Sequence, residues 1–409
     1  MSRTILQGVT LSSGRVTDIA IDSTTTKIEG IGDIEVSHFD NIEDCKGMVA
    51  LPAAVEPHAH LDKALLSEFG QNVRNHRGDL AGAIKVMKEI QITPEDVFKR
   101  AKTAVLEMVG NGTTLIRTHV DVREGVGIAN IEPLLELKRW LANENLAELQ
   151  VAGLIGSPIT GRNGRIHRRL LQQAVEGGID VIGGCPYLEE DSKGALEILM
   201  NSAHDAKKPL DLHTDETLDP DIFTLSELID ATEKRGIGAG ITASHCVSLG
   251  VQELDRQWSV GTQLLELGIS VIVLPQTNLY LQARNFTIAP PRGIAPISLL
   301  RKIGVTVAAG SDNARDPFCE MGRMDMLETA SLLVMAAHLT PDEAWDACSL
   351  SGRKVLGHAS DGLELGAVAD IVLLEGPNFV SAIAKASARR IVIHRGRVSI
   401  RTNVDRQFA

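Results

Sequence analysis

His58 and His60 stand two residues apart in Glu56–Pro57–His58–Ala59–His60. On an extended strand side chains alternate, so both imidazoles leave the same face and can share one metal ion at about 2.0–2.1 Å. His213 offers a third nitrogen and Asp312 an oxygen. Three histidines and one aspartate leave room for a water, as a catalytic metal requires, and such a metal lowers the pKa of that water toward neutrality. Glu216 lies three residues beyond His213. A carboxylate there can shuttle a proton between the water and a leaving nitrogen. His245 can hydrogen-bond the attacking oxygen or the substrate. His119 either lines the pocket or orients a ligand through its second ring nitrogen. Lys63 is either a substrate contact or a loop cation over the rim. Asp121, Asp215 and Arg117 read as supporting residues or helix caps.

These residues need elements to bring them together. Eight apolar, β-branched runs occur at 53–60, 113–121, 149–155, 181–187, 210–216, 241–247, 270–278 and 306–313. Amphipathic segments separate them, among them 94–111, 131–145, 169–177, 193–207, 225–235, 258–268 and 297–304, and several end in Gly as a helix C-cap would. Strand and helix alternating eight times over about 260 residues is the pattern of an α/β fold of the (β/α)8 barrel type. No GxGxxG follows the first strand, which lowers the competing open, doubly wound sheet. In a barrel, catalytic groups collect at the C-terminal strand ends. The histidines and acids above all fall there. The first and last 50 residues are both strand-like and rich in turns. They predict a small β-sandwich built from 1–51 and 357–409, with the barrel at 52–356 as one continuous insertion.

Composition narrows the function classes. The 409 residues suffice for a full core without disulfides. The net charge of −12 repels phosphate backbones, and the 3% aromatic content gives no stacking surface, so no nucleic-acid partner is expected. The five cysteines are scattered and odd in number, which fits a reducing, cytoplasmic setting. No signal peptide is expected near the N-terminus, and no apolar run approaches 18 residues, so no membrane partner is expected either.

The segments Glu56–Lys63 (EPHAHLDK), Arg117–Asp121 (RTHVD), Asp211–Glu216 (DLHTDE), Thr242–His245 (TASH) and Gly310–Pro317 (GSDNARDP) resemble the amidohydrolase superfamily. Within it they are similar to bacterial cytosine deaminases and their relatives acting on N-alkyl aminotriazines. Pro275–Arg284 is similar to the loop after strand seven in that group. The resemblance covers nearly the whole chain. It implies one divalent ion, iron or zinc, held by His58, His60, His213 and Asp312. It further implies a proton shuttle at Glu216 and a hydroxide-positioning role for His245. Strand four carries no Lys, so the expected site is mononuclear. On the substrate side the resemblance points to His119, Ser157, Gln276, Asn313, Phe318 and Lys63. The cytosine deaminase pattern has Gln at the end of strand three, a second Asp on strand eight, and Trp after the downstream Asp-Pro. Here these are Gly156–Ser157, Asn313 and Phe318. The smaller Gly–Ser pair could admit a bulkier ring, such as a pterin. The implied reaction is hydrolysis at an electron-poor ring carbon of a small N-heterocycle, with release of ammonia. Alternatives are removal of an N-alkylamine, or hydrolysis of a cyclic or exocyclic amide. A scaffold protein with a degenerate barrel is the non-enzymatic alternative. A homo-oligomer is expected.

Overall fold

The computed structural model describes residues 3–236, 238, 240–405 and 407. The N-terminal segment forms β1 (Arg3–Thr10), β2 (Val16–Asp22), β3 (Ile28–Gly32), β4 (Asn41–Asp44) and β5 (Met48–Pro52). The chain then enters eight further strands: β6 (Ala54–Ala59), β7 (Thr113–Val122), β8 (Glu148–Ile155), β9 (Val181–Gly184), β10 (Leu210–Thr214), β11 (Ile241–His245), β12 (Ser270–Val273) and β13 (Val307–Ala309). These pair in sequential order, all parallel. Strands such as β6, β9 and β10 are buried at every position, as a parallel sheet covered on both faces requires. The ring closes where Ala59 bridges Asp312 and the Asp312 N–H donates to His58 C=O at 3.1 Å. The Glu56 carboxylate reinforces that seam by accepting from the Ser311 N–H, the Ser311 hydroxyl and the His58 N–H. The molecule is therefore a (β/α)8 barrel.

Between the strands run α1 (Leu80–Glu89), α2 (Pro94–Gly110), α3 (Ile131–Asn143), α4 (Arg165–Glu176), α5 (Ser192–Ala206), α6 (Thr224–Arg235), α7 (Leu254–Leu267), α8 (Pro275–Leu281), α9 (Ile297–Ile303) and α10 (Met326–Ala337). Gly236 and Gly268 end α6 and α7 at φ 65° and 69°, the left-handed cap that glycine accepts at least cost. The apolar runs expected to be continuous strands at 181–187 and 270–278 both stop early. Pro186 opens a 3₁₀ turn (Pro186–Leu188), and Pro275 opens α8. Proline lacks the ladder donor but suits a first helical position.

The C-terminal strands β14 (Ile371–Glu375), β15 (Arg390–His394) and β16 (Arg397–Thr402) join the N-terminal ones in a second eight-stranded sheet, ordered β16-β15-β14-β5-β1-β2-β3, with β4 on β1. Antiparallel pairing of β5 with β14 ties the two ends together. Ile19, Ile21, Met48, Ile371 and Ile393 belong to its own core, separate from the barrel's. Buried ion pairs dock this sheet on the barrel. Arg390 grips Asp325 bidentately at 2.9 and 2.6 Å. Arg353 donates to Asp370 at 2.9 Å.

Candidate active site

His58 and His60 end β6 and point into the barrel mouth, with His213 facing them from β10. The Nε2 atoms of His58 and His213 lie 3.2 Å apart, those of His213 and His60 3.3 Å apart. Asp312 Oδ1 is 3.3 Å from His60 Nε2 and 3.9 Å from His58 Nε2. Ligand atoms about 2.0–2.1 Å from one tetrahedral ion stand roughly 3.3 Å from each other. The four expected residues thus converge with their ligating atoms together. Asp312 follows β13 with φ 66° and His245 ends β11 with φ 70°. Both are left-handed conformations uncommon for non-glycine residues, and they turn the two side chains inward.

A buried chain of partners sets the His58 ring. Its Nδ1 lies 3.1 Å from the Ser244 hydroxyl, which itself donates to Asp211 at 2.7 Å. Ser244 must then accept from His58 Nδ1–H, which leaves Nε2 with its lone pair toward the cluster. Arg117 donates to the other Asp211 oxygen at 2.8 Å. His119 stacks on His58 at 4.0 Å, with Nε2 3.5 Å from Asp211. It is buried, its ring nitrogen lies close enough to those of His58 and His213 to share an ion with them, and it does not line the cavity.

Glu216 stands above His213. Asn278 on α8 donates toward Glu216 Oε1 at 3.3 Å and lies 3.1 Å from His245 Nδ1. Asn278 Nδ2 is a donor, so His245 Nδ1 accepts and Nε2 carries the proton. That Nε2 is buried without a protein partner. The Tyr187 hydroxyl donates to Glu216 Oε2 at 3.4 Å. Asn278 and Tyr187 were not singled out in the sequence. The signal for Asn278 was available in Pro275–Arg284, but only a helix beginning at Pro275, rather than a strand or loop, turns it toward Glu216.

The electrostatics divide the two carboxylates. Burial, then the nearby Asp312 charge, push the Glu216 carboxyl well above its ordinary range. Burial works against ionised Asp312 as well, but His60 and His245 outweigh it and hold that carboxyl low. Burial, with the other imidazoles adding to it, keeps His58 and His213 well below the usual histidine range. His245 is lowered to about 4, chiefly by burial. Two neighbouring carboxyls pushed in opposite directions are the pairing that acid–base chemistry needs.

The cluster opens into a cavity of about 260 Å³. Lys63, Ser157, Asn313 and Phe318 line it, together with His60, His213, Glu216, His245 and Asp312. Lys63 is no rim cation. It is 2% exposed, and its ammonium lies 2.9 Å from Asp121, 3.1 Å from Asp62 and 3.2 Å from His60 Nδ1. Arg100, fully buried, holds that loop through the carbonyls of Ala64 and Asp62. Asn313 donates to Asp316 at 2.8 Å. Gln276 falls elsewhere: its amide donates to Thr329 at 2.6 Å and does not reach the cavity. Asp215 caps α6, accepting from the Thr224 and Leu225 N–H groups. One apolar wall comes from α1, whose Leu80, Ile84 and Met87 share a helical face. The sequence reading had no helix there, although Asp79 supplies its N-cap.

A family model described as "Amidohydrolase family" matches residues 156–400. The chain belongs to the amidohydrolase family. It is similar to a pterin deaminase of Rhizobium rhizogenes, 28% identical over 366 residues, covering 88% of this chain and 83% of that one. It is also similar to an N-isopropylammelide isopropyl amidohydrolase of Pseudomonas sp. strain ADP, 25% identical over 391 residues, covering 92% and 91%. Among solved structures, a 5-methylcytosine deaminase from Klebsiella pneumoniae superposes with a TM-score of 0.87 at 26% identity, covering 100% of this chain and 99% of that one. Amidohydrolases hydrolyse non-peptide C–N bonds and generally use a divalent metal. The residues of this amidohydrolase fit such an ion. Both Asp312 carboxylate oxygens are buried without a geometrically formed hydrogen bond, and the Nε2 atoms of His58, His60 and His213 face only one another and Asp312. Buried polar atoms left so are costly unless something else binds them. Among the described residues, no helix is long and apolar enough to cross a membrane.

Proposed function

We propose that this amidohydrolase deaminates a small N-heterocycle hydrolytically, through one divalent ion held by His58, His60, His213 and Asp312. The observation that carries the reading is the convergence of His58, His60, His213 and Asp312 at one point, beside a buried Glu216 whose carboxyl is pushed up while that of Asp312 is held down. Iron or zinc bound there would acidify a water and polarise it for attack. Asp312 accepts the proton that this water loses. His245 Nε2–H donates to the attacking oxygen and holds it in line. Glu216 delivers its proton to the ring nitrogen beside the reacting carbon. Its carboxylate then takes the proton of the new C–OH while Asp312 hands its proton to the amino nitrogen, so that the carbonyl forms as the C–N bond breaks and both carboxyls return to their starting states. The new C–O bond replaces the C–N bond, and ammonia leaves. Tyr187 and Asn278 hold Glu216 in place, and Arg117, Asp211 and Ser244 hold His58.

The substrate side favours a ring larger than cytosine. Ser157 is short and lines the cavity, and the pterin deaminase relative acts on a two-ring heterocycle. Lys63, Asn313 and Phe318 are the proposed ring contacts. Five unpaired cysteines support a reducing, cytoplasmic setting. A homo-oligomer belongs to the same proposal, and light scattering tests it. The decisive experiment is an ammonia-release screen of metal-reconstituted enzyme over pterins, cytosine, isocytosine, creatinine and aminotriazines. Ammonia with the ring intact supports deamination. Ring opening or alkylamine release without ammonia sinks it.

A further inference from the structure

The cavity lining carries charge that the chemistry above does not use. Lys88, at the end of α1, and Arg123, just past β7, line the cavity. A groove continues from there, sharing Lys88, Arg123 and Ser157, and adds Arg162 and Arg165. Glu124 is the one carboxylate on its wall. Arg123 contacts Asp121 only at 3.6 Å, and Lys88, Arg162 and Arg165 form no ion pair among the described residues. Four cations against one acid is a local reversal in a chain of net charge −12. A cleft lined by one sign of charge focuses the field onto its entrance.

The loop between cavity and groove is tightly held. A Cβ on Gly156 would meet Arg123 Cβ at 2.7 Å and His167 Nε2 at 2.9 Å. His167 is buried and fully engaged, with Nδ1 at Pro158 C=O (2.7 Å) and Nε2 accepting from the Glu124 N–H (3.2 Å). The short Ser157 therefore sits on a fixed ledge between the two spaces. A long side chain there would close the passage.

We propose that the substrate ring carries an anionic substituent, which leaves the cavity past Ser157 and lies among Lys88, Arg123, Arg162 and Arg165. This rests on the deamination reading for which ring sits at the metal, but not for the anion site itself. Binding of reaction products separates the two. Holoenzyme is titrated with 2,4-dioxopteridine and with its 6-carboxylate, neither of which can lose ammonia. Exposed ion pairs are individually modest, so several acting together should favour the carboxylate by about tenfold at low salt. The double variant R162Q/R165Q should cut that ratio to about threefold or less, as should 0.5 M salt. Equal or tighter binding of the neutral ring overturns the inference. So does failure of both rings to bind, or a ratio the variant leaves unchanged. Ammonia release from the 2-amino-4-oxo forms is measured in parallel. Its absence alongside an intact, variant-sensitive ratio rejects deamination of a pterin while keeping the anion site.

Discussion

Glu216 and Asp312 share one buried space, and the charge on Asp312 helps push the Glu216 carboxyl up. Replacing Glu216 by Gln keeps shape and hydrogen bonding but removes the proton. General acid–base help is worth about 10²–10⁴-fold, so kcat should fall by at least that order while bound metal stays stoichiometric. Loss of metal in that variant would make Glu216 a ligand instead. The converse holds for the double variant H58A/H60A. Elemental analysis should find it largely metal-free, and full occupancy would count against the ligand set. Asn278→Leu tests the residue the sequence did not reveal. It frees the His245 ring and removes a donor from Glu216 while touching no proposed ligand. We expect kcat to drop about 10–100-fold with metal content unchanged, an effect of positioning rather than of lost chemistry. At this scale the sequence was most legible where strand ends fix position. His58, His213 and His245 lie at strand ends, and His60, Glu216 and Asp312 stand one to three residues beyond one, so the apolar runs locate all six; the left-handed turns at His245 and Asp312 that aim those two inward were not legible. Gln276 and Asn278 were indistinguishable without knowing that Pro275 starts a helix. Lys63 could not be placed because its burial depends on Arg100, which approaches from α2.

Elements docked by buried charge carry their own pH dependence. Asp370 accepts from Arg353 at 2.9 Å, His394 Nδ1 at 2.8 Å and the Arg395 N–H at 2.7 Å. Burial alone would raise its carboxyl, yet these partners hold it below the ordinary value. A depressed carboxyl stabilises the fold fully above its unfolded pKa, about 3.9. That contribution fades as pH falls from there through the lower folded value. Asp370→Ala leaves Arg353 buried and unpaired, which should cost about 3–5 kcal/mol at pH 7. In thermal melts the variant should lose less of its remaining stability between about pH 5 and 3 than the parent does. A parallel loss in both would remove Asp370 from the acid transition. The strands of the barrel were legible as apolar runs because parallel strands are buried on both faces. Their C-terminal limits were not, since the runs continue through Pro186 and Pro275 into turns and helix. Helix α1 escaped notice because its apolar face at Leu80, Ile84 and Met87 is short and covers a cavity rather than the core.

At the scale of the whole molecule, similar texture at the two ends announced a shared sheet, but not the order of its strands. Nothing in either segment says that Met48–Pro52 pairs with Ile371–Glu375 rather than with a neighbour nearer in sequence. A chain ending at residue 365 should therefore be recovered largely as insoluble material, since β5 would keep an apolar edge with no partner. Soluble, metal-binding protein from that truncation would mean that the barrel stands without the sheet. The β5–β14 pairing also sets a clock on the ribosome. About 320 residues separate the two strands, and at roughly 5–20 residues per second the first waits about 15–60 s for the second to be made. Through that interval the nascent chain shows an open β-edge while its barrel is being assembled one strand at a time. The enzyme's yield in a cell then depends on how quickly translation runs and on what covers that edge meanwhile.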